Sequence, residues 1–215
     1  MENTIYTLQD INEMQKIERL NFINTITGFK SANLIGTKSK EGIENLAIFS
    51  SVIHMGSNPP LLGFITRPVH VPRHTYLNIK NDGYYTINHV HESFIDRAHQ
   101  TSAKYEPEVS EFDKCNFTPL YFNDFPAPFV AESVIQIGMK QVEEHVVKYN
   151  ETILVIGEIQ LIRIPANAKK DDGFIDLSKL GTVAISGLDT YLGTNKLDRY
   201  SYARPNKNIN SIGYD

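Results

Sequence analysis

Residues 151–165 read ETILVIGEIQLIRIP, and this is the clearest strand in the chain: a long run rich in β-branched residues, closed by a proline. Residues 129–144, just upstream, form a second long β-rich segment. Further back, Tyr84 to His89 alternates, with Tyr85, Ile87 and His89 on one face and Tyr84, Thr86 and Asn88 on the other. Leu61 to Thr66 is apolar enough for a strand buried on both sides. Asn45 to Ile53 reads as one strand, paired hairpin-fashion with Asn33 to Thr37 through a polar connection, Lys38 to Glu44, that contains Gly42. Gly56-Ser57-Asn58-Pro59-Pro60 is a turn or loop. Several strands at short spacing, with helices inserted rather than alternating, predict a β-barrel rather than a parallel α/β sheet.

The helical signals lie at the margins. Residues 7–27 read as helical, with Thr7 and Asp10 in a capping-box pattern and Ile17, Leu20, Ile23 and Ile26 in a second piece that ends at Gly28. A short helix opens at His74 or Thr75 and stops near Asn81-Asp82-Gly83. Another spans Phe94 to Gln100, and loops with short helices fill Ser102 to Pro119. The expected organisation is an N-terminal helical extension (1–27), a barrel (28–165) and a loop-rich C-terminal extension of the same domain (166–215).

The chain has 215 residues, 41% hydrophobic and 21% charged, which suits one folded domain with a sizeable core. A formal net charge of −4 argues against a nucleic-acid or acidic-membrane binder, yet leaves room for a small anion held by a few local cations. Cys115 is the single cysteine, so intrachain disulfides and CxxC or zinc-thiolate frameworks are excluded. The N-terminus carries Glu2, Asp10 and Glu13 without an apolar core, and no apolar run reaches the ~20 residues that span a bilayer. The expected compartment is the cytoplasm.

Two stretches carry candidate chemistry. Arg67, Arg73, His74 and Thr75 fall within nine residues around a predicted helix start. Cations there oppose the helix dipole, and a phosphate on the free amides would resolve that conflict. The alternative is a solvated basic loop with an ordinary cap. In the second stretch, Asn45-Leu46-Ala47-Ile48-Phe49-Ser50-Ser51, the small Ala47, Ser50 and Ser51 permit close approach and Asn45 adds a polar contact. Strand amides and carbonyls match the alternating donors and acceptors along one edge of a flat heterocycle. The alternative is an ordinary barrel strand.

Other motifs lead nowhere. The chain lacks a GxSxG elbow, a Walker A loop and a GxGxxG turn. His89 and His91, two residues apart, and His99 have neither an HExxH pattern nor a cysteine partner, so they read as surface or hydrogen-bonded core residues, like His54 and His145, and no metal is expected. Phe122, Phe125 and Phe129 read as core or interface.

Together, NLAIFSS (45–51), PPLLGFITRP (59–68), RHTYLNI (73–79), GYYTIN (83–88) and the acidic SEF segment (110–112) resemble, in order and spacing, the flavin reductase-like FMN-binding split-barrel family of the flavoredoxin type. The resemblance spans roughly residues 28–165. It implies a mainly β fold, a six-stranded antiparallel Greek-key split β-barrel with flanking helices, and noncovalent FMN near a homodimer interface. Asn45, Leu46, Ala47, Ile48, Phe49, Ser50 and Ser51 would face the ring and ribityl chain. Thr66, Arg67, His74, Thr75 and Asn78 would hold the phosphate side. Arg73-His74-Thr75 departs from the Lys-Asp-Thr form common in the family, placing a potential phosphate ligand where an acid is usual. The tail GLDTYLGTNKLDRYSYARP is atypical and marks a subgroup.

The implied activity is an FMN-dependent oxidoreductase that takes electrons from NADH or NADPH and passes them to free flavin or another acceptor, with no side chain acting as a catalytic acid or base. A non-enzymatic flavin or electron carrier is the first alternative, because no nicotinamide-binding motif is recognisable. A cofactor-free split-barrel interaction protein is the second. Tyr191, Arg199, Tyr200, Tyr202 and Arg204 either cover the flavin across a dimer or serve as packing and surface residues.

Overall fold

The computed structural model describes residues 3–213. In chain order the elements are α1 (Leu8–Glu13), α2 (Lys16–Ile26), β1 (Lys30–Ser31), β2 (Asn33–Lys38), β3 (Glu44–Phe49), β4 (Ile53–Ser57), β5 (Pro60–Thr66), α3 (His74–Asp82), β6 (Tyr84–His89), α4 (Ile95–Gln100), α5 (Glu111–Lys114), β7 (Pro119–Leu120), β8 (Phe129–Val130), β9 (Gln136–Val147), β10 (Thr152–Arg163), β11 (Ala184–Ser186) and β12 (Thr190–Leu192). The main sheet has seven strands in the order β3-β2-β6-β9-β10-β5-β4, and every pairing is antiparallel. β1-β11-β12 and β7-β8 are small satellites.

The stretch expected as one strand, Asn45 to Ile53, is two. β3 and β4 follow each other in the chain but occupy opposite edges of the sheet. Edges of a flat seven-stranded sheet lie ~29 Å apart at ~4.8 Å per strand. The link from Phe49 to Ile53 reaches at most ~14 Å. The sheet is therefore rolled until its edges approach, and Ser50–Val52 crosses the seam. Ser51 fastens it: its hydroxyl accepts the Ile65 N–H and donates to the Ile65 carbonyl, both at 3.1 Å.

β2 is buried on both sides because its residues alternate between two cores. Ile35 points into the barrel with Phe64, Tyr85, Ile87, Met139 and Val155. Leu34 points outward, with Leu46, Phe94, Phe112, Cys115 and Ile185, beneath α4, α5 and the β1-β11-β12 sheet. Gly36 is required where β2 passes Pro128, since a Cβ there would collide with the Pro128 carbonyl oxygen and stand 2.6 Å from Thr86 Oγ1.

α1 starts as read, with Thr7 and Asp10 forming a reciprocal capping box. α3 ends on Gly83, whose φ of 79° supplies the left-handed cap and whose N–H returns to the Ile79 carbonyl. His89 and His91, two residues apart, do not share a strand face. β6 ends at His89, and His91 instead accepts the Ser93 N–H to cap a short 3₁₀ turn. The loop-rich tail is tied to the body: β11 pairs with β1, Lys196 bonds Asp176 at 2.8 Å, and Arg199 stacks on Phe174 at 4.2 Å. Phe122 and Phe129 stack at 4.3 Å in a third apolar cluster.

Candidate functional site: a strand edge between a cavity and a helix start

β3 connects two features. At its beginning, the buried Asn45 donates through Nδ2 to Thr75 Oγ1 at 3.1 Å, tying the strand to the first turn of α3. One turn further, Asn78 Nδ2 donates to Thr37 Oγ1 on β2 at 3.0 Å. α3 is thus clamped over the β2-β3 hairpin with its N-terminus beside the start of β3.

That N-terminus has no side-chain cap; Arg73 stands at the cap position, and its Nε is buried without a hydrogen-bond partner. Ser110, which precedes α5, likewise keeps a buried hydroxyl without a partner. Free first-turn amides, an unpaired guanidinium nitrogen and the half-buried His74 are the donor set that an anion requires. Thr66 is buried at the end of β5, and Arg67 after it is exposed.

At the far end of β3 lies an open cavity of about 470 Å³. Ser50, Ser51 and Ile53 form one wall; Asn24, Phe29 and Lys30 form another. Lys30 is held there by donating to the Asn24 carbonyl (2.9 Å) and to Thr27 Oγ1 (3.2 Å). Phe29 and Lys30 had no motif to mark them, because their place follows from where the N-terminal arm ends in space.

Individual residues of 45–51 divide. Ser50 and Ser51 line the cavity, and Asn45 reaches the helix start. Ala47, Ile48 and Phe49 are half-buried; Ile48 packs on the outer core and Phe49 on the barrel core. Leu46 is turned fully into the outer core, and its amide is taken by the Glu111 carboxylate at 3.0 Å. Its side chain and its N–H are thus both engaged within the protein. Glu111 itself was legible only as part of an acidic segment. Burial raises its carboxyl pKa, while the bond from Leu46, its own backbone N–H and the neighbouring His74 pull it back.

The histidines are dispersed. His89 is half-buried, and desolvation lowers its pKa to about 4. His99 bonds Tyr191 at 3.0 Å, and His54 bonds Ser57 at 3.2 Å. Among the described residues no three His, Cys, Asp or Glu side chains converge as a metal set.

Comparison with known proteins bears on the family and the fold. The family model described as a flavin reductase like domain matches residues 29–178. The chain belongs to the flavin reductase-like family. The family segment thus starts where the N-terminal arm ends, and β11 and β12 lie beyond it. A Shewanella frigidimarina crystal structure with a split barrel domain is 50% identical, superposes with a TM-score of 0.90, and is covered over 94% of this chain and all of that one. The flavoredoxin of Desulfovibrio vulgaris shares the fold at 21% identity and a TM-score of 0.68, over 83% of this chain and 91% of that one. An uncharacterized Aquifex aeolicus protein is 28% identical over 60% of this chain and 66% of its own length. The fold is that of split-barrel flavin reductases, mainly β with helices flanking the sheet.

Proposed function

We propose that the protein binds FMN noncovalently along β3 and acts as an NAD(P)H-dependent flavin reductase or a related oxidoreductase. One juxtaposition supports this reading: a ring-sized cavity at Ser50–Ser51 and an uncapped, cation-bearing helix start at Arg73–Thr75, joined by one strand through the Asn45–Thr75 bond. From Asn45 to Phe49 the strand advances ~13 Å, and Ser50 and Ser51 follow directly from its end.

The residues present fit the group. Ser50 and Ser51 allow close approach of a planar ring, and Lys30 places a cation at the cavity wall. His74, Thr75 and the unpaired Arg73 Nε would supply donors for the phosphate, and Thr66, Arg67 and Asn78 are the further candidates for that side. When bound, a flavin supplies hydride acceptance and onward electron transfer. The chain's own work is to hold the phosphate, orient the ring against the seam and shield one side of it from water. The family assignment favours this reading. A homodimer is the working unit we propose, in the cytoplasm, which suits a lone buried cysteine.

The test starts with titration of the purified full chain by FMN and by FAD, followed by anaerobic addition of NADH or NADPH. Flavin bleaching and steady turnover with free flavin are expected. A bound flavin that neither nucleotide bleaches would favour the electron-carrier reading. Arg73→Ala should weaken FMN binding by about tenfold to a hundredfold, the equivalent of ~1.5–3 kcal/mol for a charged hydrogen bond. Unchanged affinity would remove the phosphate assignment.

A further inference from the structure

Two helix starts meet at the first residues of β3. Thr75, in the first turn of α3, takes the bond from the Asn45 side chain at 3.1 Å. Glu111, in the first turn of α5, takes the Leu46 N–H at 3.0 Å. Asn45 and Leu46 are neighbours in the chain, so these two bonds bring Arg73-His74-Thr75 and Ser110-Glu111 to one place. Burial raises the Glu111 carboxyl pKa, and His74 is close enough to lower it in part.

Both starts leave a polar side-chain atom unused. Arg73 stands at the cap position of α3 and Ser110 at that of α5, and neither side chain caps its own helix. For Ser110 this departs from the ordinary role, because a serine at a cap accepts an N–H of the first turn. Among the described residues only four buried side-chain polar atoms lack a hydrogen-bond partner. Asn33 Oδ1 and Tyr85 OH belong to barrel strands; the other two are Arg73 Nε and Ser110 Oγ, one at each cap. Buried polar groups without partners are costly, and two at one junction mark a place for a ligand's acceptor atoms. Glu111 bonds Leu46 and neither of these donors. Arg73 and Ser110 are each half-buried as residues, so one turn about the Ser110 Cα–Cβ bond presents its hydroxyl to a group arriving at the start of α3.

We infer that Ser110 is a ligand-binding residue of this anion site and sets its specificity: with Arg73 Nε it takes the oxygens of a terminal phosphate monoester, that of FMN, in preference to the phosphodiester of FAD. A monoester ends in three unsubstituted oxygens and carries about −1.5 to −2 charges near neutrality. The first phosphate of FAD offers fewer free oxygens and less charge, and it continues into a second phosphate. Donors that converge from two helices can enclose an end, whereas a chain that continues has to pass between them. The identity of the ligand rests on the flavin-site reading above; the pairing of the two donors does not.

Fluorescence titration of the full chain with FMN, FAD and riboflavin, which lacks the phosphate, tests this. Wild type should bind FMN about tenfold or more tighter than either of the others. Ser110→Ala should weaken FMN by about tenfold, the effect of one charged hydrogen bond, and leave riboflavin and FAD within about twofold. Ser110→Thr keeps the hydroxyl and should stay within about threefold of wild type for FMN. Riboflavin binding serves as the folding control within each variant. Unchanged FMN affinity in the alanine variant, a threonine variant as weak as alanine, or a parallel loss of FMN and riboflavin overturns the proposal, as does a wild type that prefers FAD. If wild type binds none of the three, the flavin reading fails, and the thermal midpoint in inorganic phosphate decides the rest. A rise with phosphate that Ser110→Ala diminishes keeps Ser110 as an anion ligand; an equal rise in both, or none, overturns it.

Discussion

Glu111 offers the sharpest test of how the β3 edge is held. Its carboxylate accepts the Leu46 N–H at 3.0 Å, and both residues are buried, Leu46 completely and Glu111 to 5% exposure. Glu111→Ala removes the acceptor and leaves a strand amide without a partner in the outer core, which costs ~1–3 kcal/mol. The shortened side chain also opens space beside Phe112 and Leu46, so the expected loss is about 2–3 kcal/mol. For a chain of this length that is a fall of roughly 5–10 °C in midpoint. Glu111→Gln keeps a carbonyl acceptor of the same length and should cost about 1 kcal/mol or less at neutral pH. The two substitutions also separate in pH. Burial raises the folded-state pKa of Glu111 above its ordinary 4.5. The stability this contributes is complete below pH 4.5 and is lost as pH rises through the folded-state value. Relative to wild type, Glu111→Gln should therefore gain stability over that window and hold level above it. Urea unfolding followed by circular dichroism, at intervals from pH 4 to 8, measures both effects. An alanine variant within 0.5 kcal/mol of wild type would show that the Leu46 amide does not depend on this carboxylate. A glutamine variant as poor as alanine would show that the charge beside His74, not the acceptor, holds the strand.

Three other substitutions address separate parts of the fold. Ser51→Ala removes both bonds to Ile65 across the seam, and urea unfolding should register a loss of about 1–3 kcal/mol, accompanied by weaker FMN binding; stability within error of wild type would mean the seam closes without them. Gly36→Ala drives a methyl into the Pro128 carbonyl and should destabilise by ~1–3 kcal/mol or more, visible as a lowered thermal midpoint in calorimetry. His89, with a folded-state pKa of about 4, contributes stability that is present above its ordinary 6.5 and lost as pH falls toward 4, up to roughly 3 kcal/mol at 1.36 kcal/mol per unit. His89→Gln should flatten that acid limb in urea melts between pH 7 and 4; an unchanged acid limb would count against burial of a neutral imidazole.

The strands were legible because their causes are local. β6 alternates, β10 is a long β-branched run, and Gly83 stops α3 with the left-handed cap its position demands. Thr75 and Asn45 were singled out separately, by their neighbours in sequence, and they proved to be bonded to each other across 30 positions. The break in 45–53 was not legible. Ser50, Ser51 and Val52 carry no glycine or proline, and an isolated peptide of this composition would stay extended. The break is imposed by closure of a sheet whose other strands lie up to a hundred residues away in the chain. The Glu111–Leu46 bond is hidden for the same reason, since its partners are 65 positions apart and a buried acid looks like any other acid in a sequence. The arm shows the converse. Its helical period was read correctly, but the period says nothing about what covers the apolar residues, and in the single chain Ile17, Leu20, Ile23 and Ile26 stay exposed. Both kinds of omission fall at the cavity: the broken strand supplies Ser50, Ser51 and Ile53, and the uncovered arm supplies Asn24, Phe29 and Lys30. The candidate site is therefore a product of sheet closure more than of any one motif. Substitutions that loosen the seam or the arm should weaken flavin binding as effectively as changes to the residues along β3.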